Sequence, residues 1–198
     1  MEPSETASHY DRVAQWYQNT ISKDYGLAQL DRAMKFVPCK GAALDVGCGS
    51  EGRFLDALKR QGFTPEGMDI SGEMVRLVRK RHPGLTFHTA DICTWDLPRK
   101  YILITAWDST FHLPLDRQES VLRKLCAGLE TGGILLFTCG GMDEPGEISG
   151  GFAGETFDYS SLGVEEFLRL LRECGCTCRH LEFDQHPEKH VYIIAQKL

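Results

Sequence analysis

Long hydrophobic runs are missing from this chain: no stretch approaches the ~20 apolar residues that cross a bilayer. The opening residues, MEPSETASHYDR, lack the basic and apolar regions of a secretory leader. Positive charge is short as well. Lys and Arg number 22 against 28 Asp and Glu, a formal net charge of −6, which argues against a surface dedicated to nucleic acid. The basic set Arg76, Arg79, Lys80 and Arg81 reads as the solvated face of a helix. No two cysteines stand in C-x-x-C spacing, and repeats and low-complexity tracts are absent. These absences predict a cytoplasmic protein with no membrane partner, no nucleic-acid partner and no metal.

What remains is an ordinary globular composition, 42% hydrophobic and 25% charged over 198 residues, enough for one domain with one core. The eight cysteines are scattered through apolar segments and read as reduced and mostly buried. Cys174, Cys176 and Cys178, with His180 close by, have the period of a strand face rather than of a zinc knuckle.

The first residues, Glu2–Ala7, read as frayed. Helical spacing then runs from Tyr10 to Phe36 and is divided at Gly26. From Ala42 short apolar runs alternate with amphipathic helices. Strands are expected at Ala42–Val46, Phe63–Asp69, Leu85–His88, Tyr101–Ala106, Ile134–Thr138, Thr177–Phe183 and His190–Gln196, with helices at Phe54–Arg60, Ser71–Arg81, Pro114–Leu129 and Val164–Glu173. Gly140–Asp158, rich in glycine and carrying Glu144, Glu147 and Glu155, reads as a long loop. The pattern predicts an α/β fold: a doubly wound, mostly parallel seven-stranded sheet with an antiparallel C-terminal edge hairpin and helices on both faces.

The run Ala43–Phe54, ALDVGCGSEGRF, carries the chemistry. Gly47-Cys48-Gly49-Ser50-Glu51-Gly52 matches G-x-G-x-x-G, with Asp69 twenty residues after Gly49, as a dinucleotide fingerprint asks. Asp45 speaks against that reading. A pyrophosphate at this turn would face Asp45, and two unit charges about 5 Å apart at an effective dielectric of 20 oppose each other by ~3 kcal/mol. A ligand bearing an ammonium and a sulfonium, S-adenosylmethionine (SAM), is favoured by the same carboxylate.

The segment resembles motif I of the class I SAM-dependent methyltransferases. Further motifs follow in the same order. Met68-Asp69-Ile70-Ser71 is similar to the family's acidic ribose-binding position, and Ala90-Asp91-Ile92 to the pair that flanks the adenine. Tyr101–Leu113 resembles motif IV, Leu122–Phe137 the helix, turn and strand after it, and the run from Cys174 to Lys197 the closing helix-to-hairpin. Glu51 departs from the family's small residue there, which leaves its direction, toward cofactor or solvent, open. Around Cys174–Cys178 the family's apolar residues imply small core substitutes.

The resemblance implies residues 1–38 as an N-terminal helical lid, with Tyr10 and Tyr17 over the cofactor, and residues 39–198 as a Rossmann-like core. It implies SAM contacts from Tyr17, Asp45, Gly47, Cys48, Gly49, Asp69, Ile70, Met74, Asp91, Ile92, Ala106 and Trp107. His112 and Asp108 are the catalytic candidates, His112 as base and Asp108 to orient substrate. The expected function is methyl transfer from SAM to an O, N or S atom of a small molecule, by a monomer or homodimer. Two other readings stay open: an NAD-dependent oxidoreductase, and a catalytically silent SAM-binding regulatory protein.

Overall fold

The computed structural model describes residues 1–198. Two helices come first, α1 (Pro3–Thr20) and α2 (Leu27–Met34). The alternating part follows as β1 (Ala42–Val46), α3 (Arg53–Arg60), β2 (Thr64–Asp69), α4 (Gly72–Arg81), β3 (Thr86–Thr89), β4 (Tyr101–Ala106), a 3₁₀ turn at Thr110–His112, α5 (Leu115–Ala127) and β5 (Leu129–Gly140). A hairpin of β6 (Gly146–Phe152) and β7 (Glu155–Ser161), then α6 (Val164–Glu173), β8 (Cys176–Phe183) and β9 (His190–Lys197) complete the chain.

Seven strands form one sheet in the order β3-β2-β1-β4-β5-β9-β8, with β6 and β7 apart as a pair. Neighbours from β3 to β5 are parallel, while β9 runs antiparallel to β5 and β8 antiparallel to β9. The central strands are buried on both faces, which is why β4, YILITA, has no exposed position. One apolar cluster, including Val121, Leu122, Leu125, Phe167 and Leu170, packs under α5 and α6. A second, including Leu30, Ala33, Phe54 and Leu58, packs under α2 and α3 on the other face. The order reverses between β1 and β4, so the loops leaving their C-terminal ends diverge and open a crevice.

Three expectations are corrected. Residues 2–7 are not frayed: α1 begins at Pro3 in the first turn, and the Glu2 N–H donates to Glu5 Oε2 at 3.0 Å. Gly140–Asp158 is not a loop but most of the β6–β7 hairpin, turned at Ala153 (φ 54°) and Gly154 (φ 85°), the positive-φ pair that a two-residue hairpin requires. The strand signal was hidden because three of the seven residues of β6 are glycine, Gly146, Gly150 and Gly151. Phe152 and Phe157 supply the hairpin's apolar face, packing on Trp16 and Tyr10 of α1. The cysteines also differ from expectation: Cys48, Cys126, Cys139 and Cys176 are buried, but Cys39 and Cys178 are exposed. Cys176 and Cys178 keep unbroken register with β9 and share a strand face, the register shifting only after Cys178; their burial differs although the face is the same.

No helix is long and apolar enough to cross a membrane. The N-terminal helix is tied to the core by a shared cap. Ser71 Oγ accepts from the Met74 N–H at 3.0 Å, starting α4, and itself donates to Asp11 Oδ1 of α1 at 2.6 Å.

Candidate functional site

A cleft of about 740 Å³, its open mouth included, lies at the C-terminal ends of β1, β2 and β4 and is roofed by Pro3, Thr6, Tyr10 and Tyr17 of α1. Its floor is the glycine loop. Gly47, Gly49 and Gly52 all have positive φ. A Cβ on Gly47 would stand 2.4 Å from Ser109 Cβ, and one on Gly49 would touch the Tyr17 ring at 3.4 Å. Side chains there would fill the cleft, so glycine keeps its backbone open to a ligand.

Asp69 ends β2 and lines the cleft while only 7% exposed. Its Oδ2 accepts from the Gly49 N–H and its Oδ1 from the Ser71 N–H, both at 2.9 Å, so it ties loop to helix with lone pairs to spare. Burial pushes its carboxyl up to about 6, against the pull of the two backbone donors. Ile70 and Met74 continue the wall beside it, and Asp91 and Ile92 face it from the loop after β3. Asp91 Oδ1 accepts from the Cys93 N–H at 2.8 Å. Lys124 of α5 holds this loop through the carbonyls of Ile92, Cys93 and Trp95, at 2.7, 3.0 and 2.9 Å. Lys124→Met leaves three carbonyls without their charged donor. It is expected to cost ~2 kcal/mol in urea unfolding and to weaken ligand binding severalfold by loosening Asp91.

Trp107, Asp108 and His112 also line the cleft. Asp108 has φ 49°, a left-handed conformation rare outside glycine. Its N–H donates to Thr138 Oγ1 at 2.8 Å, and Tyr25 O–H donates to its Oδ2 at 2.7 Å. His112 is buried, with Nδ1 3.1 Å from the Asp158 carbonyl and Nε2 2.8 Å from the Tyr10 hydroxyl. A carbonyl only accepts, so Nδ1 carries the proton and Nε2 accepts from Tyr10. Burial lowers His112 to about 4 and raises Tyr10 well above its usual range, so the pair is neutral at pH 7.

Three predicted contacts lie beside the cleft rather than in its lining. Asp45 is buried beneath the loop, accepting from Thr105 Oγ1 at 2.6 Å, and burial pushes it up to about 6. Cys48 points into a small cluster with Leu55, Val75, Val78 and Phe87, and Ala106 is fully buried in the main core. Glu51 faces neither cleft nor solvent. It is 4% exposed, with Arg81 Nη2 of α4 at 3.4 Å. Of the glutamates in Gly140–Asp158, Glu155 clasps Arg12, and Glu147 accepts from the Leu115 N–H at the start of α5.

The sequence reading did not single out Ser109 and Thr110, which line the cleft next to Asp108. Their signal was available in the same DST run. Ser109 Oγ is buried without a hydrogen-bond partner, as expected of a group waiting for a ligand. No lysine or arginine lines the cleft, whereas Asp69, Asp91 and Asp108 do.

Comparison with known proteins agrees with this geometry. A family profile described as "Methyltransferase domain" matches residues 23–140. A dTDP-3-amino-3,6-dideoxy-alpha-D-glucopyranose N,N-dimethyltransferase from Streptomyces fradiae is 28% identical over 137 residues, 67% of this chain and 52% of that protein. A trans-aconitate 2-methyltransferase from Rhizobium rhizogenes is 31% identical over 94 residues, 47% of this chain and 36% of that one. The chain thus spans about half the length, or less, of these curated relatives. Among solved structures, the SAM-bound amino pentose methyltransferase from Micromonospora echinaspora superposes with a TM-score of 0.70 at 19% identity, covering 93% of this chain and 95% of that one. Magnesium protoporphyrin IX methyltransferase from Synechocystis PCC 6803 gives 0.73 at 15%, covering 99% and 97%. The structural likeness shows the fold, and the profile, matching more than half of the residues, shows that this chain belongs to the methyltransferase-domain family.

Proposed function

We propose that residues 1–198 form one methyltransferase domain that uses SAM to methylate the nitrogen of a small-molecule amine. The observation that carries the reading is the charge of the cleft, which is lined by three carboxylates and no cationic side chain. A dinucleotide's pyrophosphate or a polycarboxylate acceptor finds no counter-charge there, whereas a sulfonium or an ammonium does. The names of the amino-sugar methyltransferases from Streptomyces fradiae and Micromonospora echinaspora support the same acceptor class.

The residues present fit SAM. Gly47 and Gly49 leave the space a Cβ would fill, Ser109 Oγ is a buried polar atom without a partner, and Asp69 keeps free lone pairs at the floor. Asp69 would hold the ribose hydroxyls, Asp91 and Ile92 the adenine, and Tyr17 and Trp107 the face of the cofactor. Asp45, one layer down, supplies negative potential beneath the loop. When bound, SAM supplies an electrophilic methyl group on a good leaving group, so the protein's work is to hold the acceptor in line and keep the site dry.

The roof does the drying: α1 closes over the cleft with Tyr10 and Tyr17, pinned to the β6–β7 hairpin through Arg12 and Glu155. Tyr10 orients the acceptor: with its own proton fixed on His112 Nε2, the phenol oxygen accepts from the N–H of the acceptor amine. Asp108 faces the same space and holds an ammonium by charge.

SAM affinity should also depend on pH. Asp45 and Asp69 titrate near 6 in the protein, and a cationic ligand favours their ionised forms. Binding therefore releases protons around pH 6 and weakens as pH falls through 6, by up to about tenfold per unit for each carboxylate. Calorimetry in buffers of different ionisation enthalpy reads the proton release directly.

The deciding assay is transfer of labelled methyl from SAM to a panel of small acceptors that includes dTDP-3-amino-3,6-dideoxy-alpha-D-glucopyranose. Label appearing on amines and not on carboxylates supports the reading. Label on carboxylates alone, or on none of the panel despite tight SAM binding, contradicts it.

A further inference from the structure

We propose that His190 is a positioning residue: its imidazole bridges Asp184 and Asp108 and aims the Asp108 carboxylate into the cleft, toward the ammonium of an amine acceptor. The inference rests on the function proposed above and adds to it a residue 82 positions from Asp108. Nothing in the local sequence marks it.

His190 opens β9 and pairs in register with Gly140 at the end of β5, beside the turn that follows β4. Its Nε2 lies 2.9 Å from Asp108 Oδ1 and its Nδ1 2.6 Å from Asp184 Oδ1. With a carboxylate oxygen at each nitrogen, both nitrogens carry protons and the ring is an imidazolium. Gln185 Nε2 also lies 3.0 Å from Nδ1, but the shorter carboxylate contact fixes that proton, and the amide donates instead to Tyr25 Oη at 2.8 Å.

The arrangement is packed among several elements and is part-buried. Trp107 packs against the imidazole, ring centroids 5.6 Å apart, and Tyr25, between α1 and α2, reaches Asp108. Gln29 of α2 donates to the other oxygen of Asp184 at 2.8 Å. The ionisable groups facing His190 are therefore Asp108 and Asp184, with the Tyr25 phenol one bond further on. Burial pulls the imidazole down, but the two carboxylates outweigh it and hold it above its ordinary value.

Asp108 is the residue this framework serves. It sits at φ 49°, and three separate groups hold it there: His190, Tyr25 and the Thr138 hydroxyl. A strained conformation that is over-determined by its surroundings and faces the cleft is a mark of function. The bridging cation and the Tyr25 hydroxyl fix the rotamer of Asp108, so that its remaining lone pairs address the acceptor.

The test uses the full chain, free of nucleoside for the titrations and with S-adenosylhomocysteine bound for methylammonium, the probe of the cleft. Histidine ring titrations by NMR, in the wild type and in Asp184→Asn, read the bridge. The wild-type His190 titrates above the ordinary histidine range, and Asp184→Asn lowers it by about one unit. Methylammonium binding, followed by the Asp108 carboxyl carbon shift, weakens about tenfold in His190→Asn and by a smaller factor in Asp184→Asn, with the nucleoside affinity unchanged. A residue that only stabilised the fold would lower the melting temperature and leave the probe affinity in place. An unmoved titration in Asp184→Asn, or wild-type methylammonium binding in His190→Asn, overturns the proposal. Should His190→Asn fail to fold, Asp184→Asn alone decides it. Wild-type protein that does not bind the nucleoside would count against the SAM reading instead, since the His190 titration is read without it.

Discussion

Replacing Asp69 by alanine is expected to lower SAM affinity by about 100-fold or more, because a hydrogen bond to a charged group contributes ~1.5–3 kcal/mol and the ribose offers two. The same carboxylate also accepts from the N–H groups of Gly49 and Ser71, one in the glycine loop and one at the start of α4. Removing it strands two buried donors and should cost ~2–4 kcal/mol of stability as well. The two effects are separable. Asp69→Asn keeps the volume and one acceptor oxygen but removes the charge, so it should retain more of the stability while still losing most of the affinity. Calorimetry with SAM, beside urea unfolding of each variant, measures both quantities. If Asp69→Asn and Asp69→Ala bind SAM as the wild type does, the cleft floor has been assigned to the wrong ligand.

The second large effect is kinetic. Tyr10→Phe removes only the oxygen that joins the cleft to His112 Nε2, and His112→Ala removes the ring that orients it. Each should reduce kcat by about 10²-fold, the cost of a misplaced acceptor, while SAM affinity changes by less than about threefold, since His112 and the Tyr10 hydroxyl are assigned to the acceptor side. The double variant should lose little more than either single one, because both substitutions break one contact. Multiplicative losses in the double variant would mean that the two side chains act separately.

Much of the architecture was legible from periodicity. β1, β4 and α6 fall at the boundaries read from the sequence, Ala42–Val46, Tyr101–Ala106 and Val164–Glu173. In β1 and β4 the apolar run is bounded by turn residues, and in α6 Phe167, Leu170 and Leu171 keep one buried stripe. The β6–β7 hairpin was not legible, because its glycines erase alternation and its apolar contacts are with α1, which is remote in sequence. The same division runs through the site. Asp69, Asp91, Asp108 and His112 stand next to recognisable strand ends and line the cleft, whereas Asp45, equally prominent in the motif, lies one layer beneath it. Motif spacing fixes where the backbone passes but not which side of the turn a carboxylate takes. His190 and Asp184 reach Asp108 only because β9 lies beside β5 in the sheet, a tertiary fact with no local signature. Glu51 shows the same limit: its partner Arg81 comes from the far end of α4.

The glycine run still matches the dinucleotide fingerprint letter by letter, so the sharpest measurement compares the two ligands on one sample. Titration calorimetry of the purified protein with SAM and, separately, with NAD tests the central claim that the acidic cleft takes a cationic nucleoside. SAM should bind one per chain, more weakly as pH falls through 6, with NAD giving no heat of binding. Saturable NAD binding without SAM binding would contradict the account.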